Sequence, residues 1–99
     1  MSKNKPNIVY IFSDQHNPAM MGHMGDPVIR TPNLDKLASE GATGTNSYCN
    51  SPICVPSRSS MLTSAYPQEL GVLLNDNSLP SGWPTMAHSI GAAGYESVL

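Results

Sequence analysis

The sequence predicts an α/β fold in which short strands alternate with helices. Residues 7–12 form a short apolar run rich in β-branched and aromatic side chains, which is typical of a buried strand. A helix pattern follows at residues 31–41, and two further helix patterns follow later in the chain. Alternation of this kind favours helices packed on a mostly parallel sheet.

Length and composition limit the classes of protein that this chain could represent. Ninety-nine residues allow one domain at most, and a formal net charge of −2 with 12% charged residues excludes the basic stripe of a nucleic-acid-binding protein. No apolar stretch reaches membrane-spanning length, and the run at residues 8–12 is too short for a signal peptide. We therefore expect a cytoplasmic protein with no membrane or nucleic-acid partner and no disulfide between Cys49 and Cys54.

The predicted first strand at residues 7–12 leads directly to Asp14 and Gln15. Ligands of open α/β sheets bind beyond the carboxyl ends of the strands. A carboxylate and an amide oxygen side by side are hard oxygen donors that suit Ca²⁺ or Mg²⁺. The alternative interpretation is that Asp14 only forms a turn.

The first predicted helix lies at residues 31–41. Thr31 suits the position before a helix, Pro32 suits its first turn and Gly41 suits its end. The apolar side chains expected to face inward from this helix are Leu34, Leu37 and Ala38. Residues 42–49 contain the β-forming side chains of a second short strand, which Gly44 weakens.

The second half of the chain predicts two more helices and the start of a strand. One helix is expected from Pro56 to about Ala65, with Met61 and Leu62 facing inward. Residues 71–84 predict a loop, and residues 84–94 contain a helix that Gly94 ends. Residues 95–99 resemble a strand that is just beginning.

The stretch "SPICVPSRSSMLTS" at residues 51–64 combines reactive groups at a helix start. The N–H groups and dipole of a helix N-terminus attract an anion, and a cysteine placed there is a better nucleophile. Arg58 adds a planar guanidinium that matches the oxygens of sulfate or phosphate. The alternative is a structural Cys54 packed before the helix, with Arg58 on the surface.

Spacing argues against three other cysteine sites. Tyrosine phosphatases have a longer spacing between cysteine and arginine than the three residues between Cys54 and Arg58. The C-x-x-C pattern of thioredoxin-like proteins is absent from the sequence. A structural zinc site would need His16, His23 or His88 at irregular distances from the two cysteines.

The stretch "CVPSRSSMLT" resembles the signature of the type I sulfatases. "KPNIVYIFSDQ", "TPNLDKLASEGATGTNSYCNSPICVPSR", "AYP" and "GV" are similar to other segments of that family in the same order, so the resemblance covers nearly the whole chain. It implies that residues 1–99 are the N-terminal segment of an incomplete sulfatase catalytic domain. It also implies an alkaline-phosphatase-like fold, a mixed and mostly parallel sheet flanked by helices.

The resemblance implies hydrolysis of a small-molecule sulfate ester by a modified cysteine. A formylglycine-generating or equivalent maturation enzyme would oxidise Cys54 to formylglycine, an aldehyde that is hydrated to a diol. One hydroxyl attacks sulfur and expels the alcohol, and loss of the proton from the other releases sulfate. Asp14, Gln15 and the modified Cys54 would hold a divalent cation, Ca²⁺ in the first place, with Mg²⁺ or Mn²⁺ as alternatives.

The remaining roles also follow from the resemblance. Arg58 would stabilise the diol, and Asn75 resembles an Asn that contacts the sulfuryl oxygens in a subgroup containing choline sulfatase and phosphonate monoester hydrolases. Gln15 stands where many members have a second Asp, which keeps phosphonate or phosphate esters open as alternative substrates. Ser64 stands where the signature usually has Gly. Further metal ligands are expected beyond residue 99, so the chain alone is expected to be inactive, and a non-catalytic fragment is the third alternative.

Overall fold

The computed structural model describes residues 5–98. The chain forms two compact units, Met1–Thr45 and Asn46–Leu99. The described residues contain the helices α1 (Pro32–Glu40), α2 (Cys54–Thr63), α3 (Pro67–Leu70) and α4 (Met86–Ala92), and a 3₁₀ turn at Gly22–Met24. None of the helices within residues 5–98 is long and apolar enough to span a bilayer.

The strands predicted at residues 7–12, 42–49 and 95–99 are not formed within residues 5–98, and Leu99 lies outside the described part. Val9 and Ile11 are 81% and 85% exposed, because the segment has no neighbouring strand to cover it. The rings of Tyr10 and Phe12 stack with centroids 6.2 Å apart, so alternate side chains of this segment share a side. Strand prediction was wrong here because neighbours in a parallel sheet come from distant parts of a chain.

Helix α1 begins at Pro32 and ends before Gly41, as predicted. Thr31 precedes it, but its hydroxyl donates to the Asp35 carboxylate rather than capping a helix N–H. The expected inward face of α1 is uncovered within the first unit, where Leu34 is 41% and Leu37 is 64% exposed. This face lines an open groove of about 380 Å³ instead of a core.

A hydrogen-bonded cluster joins the 3₁₀ turn to α1, and we call Gly22, His23, Thr31 and Asp35 the Asp35 cluster. The Oδ1 atom of Asp35 accepts hydrogen bonds from the Thr31 hydroxyl at 2.8 Å and from the His23 N–H at 2.9 Å. The Gly22 N–H donates to the Thr31 hydroxyl at 2.9 Å. The Asp35 carboxylate therefore holds two elements of the first unit together.

In the second unit, α2 packs against α3 and α4. The buried side of α2 consists of Pro56, Ser59 and Ser60, which helical spacing places on one face. Leu70 and Val72 are 3% and 0% exposed, and they are the buried large apolar side chains among the described residues. Small residues on α2 let its neighbours approach closely, and the resulting core is small.

The structure corrects two details of α2. The helix begins at Cys54, two residues before the predicted start, because proline is accepted anywhere in a first turn where its missing N–H has no helical partner. Leu62 is 37% exposed and Met61 is only partly buried, so the prediction that both face inward was wrong for Leu62. Helix α2 ends at Thr63, and the next residue, Ser64, has a left-handed backbone with φ 59°.

Two short elements complete the second unit. Helix α3 lies in a region without a predicted helix, and the Tyr66 N–H donates to the Glu69 carboxylate at 2.8 Å at its start. Helix α4 covers the centre of the predicted helix at residues 84–94. Gly94 follows it with φ 83°, in the conformation expected of a residue that ends a helix.

Candidate active site

Cys54 is the first residue of α2 and is half-buried. The residue before it, Ile53, is extended, and its carbonyl accepts the Ser57 N–H at 3.0 Å to close the first turn. Pro56 has no N–H, so the N–H groups of Cys54 and Val55 are the donors at this helix end. The predicted position of Cys54 at a helix N-terminus is confirmed, and the cap position before it holds Ile53, which makes no side-chain capping bond.

Asn75 reaches the same helix end from a loop twenty positions later in the chain. Its carboxamide oxygen accepts a hydrogen bond from the Val55 N–H at 2.9 Å. Because an N–H can bond only to the oxygen of a carboxamide, this contact fixes which way Asn75 faces and turns its NH₂ group away from Val55. The Cys54 N–H has no hydrogen-bond partner within residues 5–98.

Arg58 lies one turn after Cys54 on α2 and is half-buried. Residues four apart in a helix share a face. The Arg58 side chain therefore leaves the helix on the same face as the Cys54 side chain. The structure therefore places Cys54 and Arg58 one turn apart on α2 and bonds Asn75 to the N–H of Val55, the residue next to Cys54. A thiol, a cation and a carboxamide around helix N–H groups form a site suited to a tetrahedral anion.

A second asparagine orders the loop that carries Asn75. The Oδ1 atom of Asn77 accepts hydrogen bonds from the N–H groups of Leu73 and Leu74, each at 2.9 Å. Asn77 was not among the residues predicted from the sequence. The signal that could have found it is the "NDN" turn itself, since asparagine side chains often bond to nearby backbone groups.

Asp14 and Gln15 lie in the first unit, in a turn directly after the apolar segment of residues 8–12. Both side chains are exposed, and Gln15 has a left-handed backbone with φ 52°. Few residues other than glycine adopt this conformation, and it is frequent at functional sites. In the described part of the chain, no group of three or more His, Cys, Asp or Glu side chains is placed to hold a metal ion.

Both cysteines are unpaired thiols, with Cys49 exposed and Cys54 half-buried. This agrees with the expectation that they form no disulfide. It also gives the chain an internal control, because the two thiols lie five positions apart but only Cys54 starts a helix.

Comparison with known proteins places the chain in a family. The family model described as Sulfatase matches residues 6–99. The chain belongs to the sulfatase family. This sulfatase chain is 47% identical over 93 residues to an ulvan-active sulfatase of Formosa agariphila, an alignment that covers 94% of the chain and 18% of the relative.

Two other relatives carry different names. A choline-sulfatase of Rhizobium meliloti is 35% identical over 99 residues, covering all of the sulfatase chain and 19% of the relative. Arylsulfatase A of Bos taurus is 38% identical over 96 residues, covering 91% of the chain and 19% of the relative. The chain thus spans less than a fifth of the length of these curated relatives. No solved structure matches it.

Membership of the sulfatase family confirms the predicted resemblance. The family implies an alkaline-phosphatase-like α/β fold, of which the described residues contribute helices but no strands. Sulfatases generally depend on formylglycine and a divalent cation. The individual roles assigned to Asp14, Gln15, Cys54, Arg58 and Asn75 stay predictions.

Proposed function

We propose that the protein hydrolyses sulfate esters to an alcohol and inorganic sulfate. The observation that carries this proposal is the position of Cys54 at the first residue of α2, with Arg58 one turn later in a chain of the sulfatase family. A helix N-terminus and a guanidinium both favour a bound sulfate group.

The nucleophile in this proposal is Cys54 after conversion to formylglycine by a maturation enzyme. The hydrated aldehyde then provides one hydroxyl that attacks sulfur while the S–O bond to the alcohol breaks. Deprotonation of the second hydroxyl breaks the C–O bond to sulfate and restores the aldehyde. A cysteine at the start of a helix suits this chemistry, because its side chain lies at the end where the helix dipole stabilises negative charge. Cys54 is half-buried, so part of its surface is accessible.

Arg58 and Asn75 would hold the sulfate group. The guanidinium of Arg58 offers paired N–H donors to the sulfate oxygens. Asn75 directs its oxygen to the Val55 N–H at 2.9 Å, which leaves its NH₂ group as the donor for a sulfate oxygen. The hydrogen bond to Val55 fixes the orientation of the Asn75 carboxamide. That orientation is consistent with the proposed role of Asn75 as a donor to the substrate.

Asp14 and Gln15 would contribute oxygen ligands to a divalent cation. Their donor set fits a hard ion such as Ca²⁺, and both side chains are exposed on one turn. Ca²⁺ takes six to eight oxygen ligands. These two residues would therefore be part of a larger set. The chemistry that a bound cation supplies is withdrawal of negative charge from the sulfate oxygens.

The experiment uses the full-length protein produced together with a formylglycine-generating enzyme. We expect hydrolysis of p-nitrophenyl sulfate and an intact mass lower by about 18 Da at residue 54. Cys54→Ala should lose both the mass change and at least about 10³-fold in turnover, as expected for removal of a nucleophile. Cys49→Ala is the matched control and should keep both. Undiminished turnover in Cys54→Ala would overturn the proposal, and an unconverted thiol in an inactive protein would favour a non-catalytic role.

A second candidate substrate class is a phosphonate or phosphate ester. Gln15 keeps this class open, because it stands where many members of the family have a second Asp and where members resembling the phosphonate monoester hydrolases have Gln. Sulfate monoesters and phosphonate monoesters carry the same single negative charge, so the charge of the site does not separate them. The two substrate classes are separated by the ratio of kcat/KM for p-nitrophenyl sulfate to kcat/KM for a p-nitrophenyl phosphonate. We expect sulfate to be preferred.

A further inference from the structure

The loop between α3 and α4 is closed by a single side chain at residues 73–77. The Oδ1 atom of Asn77 accepts hydrogen bonds from the Leu73 and Leu74 N–H groups at 2.9 Å each. The Asn77 N–H donates to the Leu74 carbonyl at 3.2 Å. Three hydrogen bonds thus fold this short segment around Asn77, which is itself half-buried.

Packing does little to fix the same segment. Leu73 and Leu74 are 52% and 56% exposed, although Val72 immediately before them is completely buried. Asp76 is exposed, and its carboxylate accepts a hydrogen bond from the Asn77 NH₂ group at 3.4 Å. The shape of the loop beyond Val72 therefore depends mainly on the hydrogen bonds of Asn77.

Asn75 lies inside this closed segment and connects it to α2. Its oxygen accepts the Val55 N–H at 2.9 Å, next to Cys54. A shift of the loop would move this oxygen and leave the Val55 N–H without its partner. Hydrogen bonds therefore run in sequence from Asn77, through the loop backbone and Asn75, to the first turn of α2.

We propose that Asn77 is a positioning residue for the site at Cys54. It acts through Asn75, which it holds at the distance and orientation needed to bond Val55 and to present its NH₂ group to the substrate. The expected effect of Asn77 on activity rests on the proposed function. The coupling between Asn77 and the Val55 N–H does not depend on that function.

The chemistry of the side chain decides which variants test the proposal. The contacts with Leu73 and Leu74 need one oxygen with two lone pairs. Asn77→Asp keeps that oxygen, Asn77→Ala removes it, and Asn77→Ser retains a shorter hydroxyl in case Asn77→Ala does not fold. Asp76→Ala is the matched control, since it changes the adjacent loop position without removing a bond to the backbone.

The test measures activity and backbone hydrogen exchange in the full-length, converted protein. We expect Asn77→Ala to lower kcat for p-nitrophenyl sulfate by roughly 10- to 100-fold, Asn77→Ser to lower it less, and Asn77→Asp to stay within about 3-fold of wild type. Amide exchange in the peptide containing residues 54–58 should become faster in Asn77→Ala and stay unchanged in Asp76→Ala. Conversion of Cys54, read from the intact mass, should be the same in all variants.

A double mutant separates positioning from general stabilisation. If Asn77 acts through Asn75, Asn75→Ala with Asn77→Ala should be no slower than Asn75→Ala alone. Additive losses, or an Asn77→Ala variant with a lower Tm but wild-type kcat and wild-type exchange at residues 54–58, would overturn the inference. If the wild-type protein proves to hydrolyse no sulfate ester, the proposed function fails, and the exchange measurement still decides whether Asn77 holds the start of α2.

Discussion

A Cβ atom on Gly22 would lie 2.7 Å from the Oδ2 atom of Asp35, closer than a Cβ atom approaches another heavy atom in folded proteins. The absence of a side chain at Gly22 is what lets the Asp35 carboxylate come close to the 3₁₀ turn. There the carboxylate accepts the His23 N–H, while the Gly22 N–H bonds to the Thr31 hydroxyl. The Asp35 cluster therefore depends on glycine at position 22.

We predict that Gly22→Ala destabilises the protein. The new methyl group must displace the Asp35 carboxylate and weaken the hydrogen bonds that it accepts, at a cost of roughly 1–3 kcal/mol in the free energy of unfolding. Chemical denaturation of the full-length protein measures the change. Gly91→Ala is the control, because a Cβ there meets nothing within 4 Å and alanine favours the helix. A Gly22→Ala variant as stable as Gly91→Ala would contradict the prediction.

The Asp35 cluster also predicts a dependence of stability on pH. The Thr31 hydroxyl, followed by the bonds from His23, lowers the pKa of Asp35 below its ordinary value of 3.8. The folded state therefore favours the ionised carboxylate, so its stabilising contribution is present above pH 3.8 and is lost as the pH falls through the lower pKa of the folded state.

Asp35→Asn tests the predicted direction in which stability changes with pH. Its loss of stability relative to wild type should be largest near neutral pH and should shrink below about pH 3.8, as denaturation curves across this range would show. Thr31→Val removes the main cause of the lowered pKa of Asp35 and should weaken the dependence of stability on pH. A difference between wild type and Asp35→Asn that grows on acidification would show that the sign is wrong.

The left-handed backbone of Ser64 predicts a stabilising substitution. Ser64 follows α2 with φ 59° and ψ 22°, a conformation that costs a residue with a Cβ about 1–2 kcal/mol. Glycine avoids that cost but loses more chain entropy, so Ser64→Gly should stabilise the protein by about 0.5–1 kcal/mol. Thermal unfolding measures the gain. Ser64→Ala keeps the Cβ and should show none, and an equal gain in both variants would rule out the backbone explanation.

Gln15 combines backbone strain with a proposed role as a metal ligand, and the two can be separated. Gln15→Gly should relax the backbone at φ 52° and raise Tm in the absence of Ca²⁺. The same change removes the carboxamide, so we expect Ca²⁺ affinity measured by calorimetry to fall roughly tenfold, equivalent to about 1.4 kcal/mol.

Gln15→Asn is the control for this pair of effects. Asparagine tolerates the left-handed conformation and keeps a carboxamide, so its Ca²⁺ affinity should lie between those of wild type and Gln15→Gly. If all three proteins bind Ca²⁺ equally, Gln15 is not a ligand and its strained backbone needs another explanation.

Helices were easier to predict from this sequence than strands. The pattern from Thr31 to Gly41 specifies α1, because the backbone hydrogen bonds of a helix join residues close in sequence. The segment supplies all of these bonds itself. Residues 7–12 have equally clear strand character, but a strand needs partners that the described residues do not supply. Helix α3 was missed because four residues carry too little pattern to distinguish a helical turn from a loop.

The same difference applies to the candidate site. Cys54 and Arg58 were selected because they lie at the start of a predicted helix, family resemblance added Asn75, and the roles of all three stay predictions. Asn77 was not found, because its importance lies in hydrogen bonds to Leu73 and Leu74 that depend on how the loop closes. The open groove beside α1 was also missed, since a helix pattern shows which side chains share a face but not what covers them.

The exposed apolar segment at residues 8–12 has a consequence for aggregation. With Val9 and Ile11 more than four-fifths exposed, its backbone and side chains offer a ready template for pairing with other chains. Nothing within residues 5–98 forms a strand beside it, so a strand that covered it would have to come from outside these residues. We therefore expect residues 5–98 produced on their own to aggregate through the segment at residues 8–12.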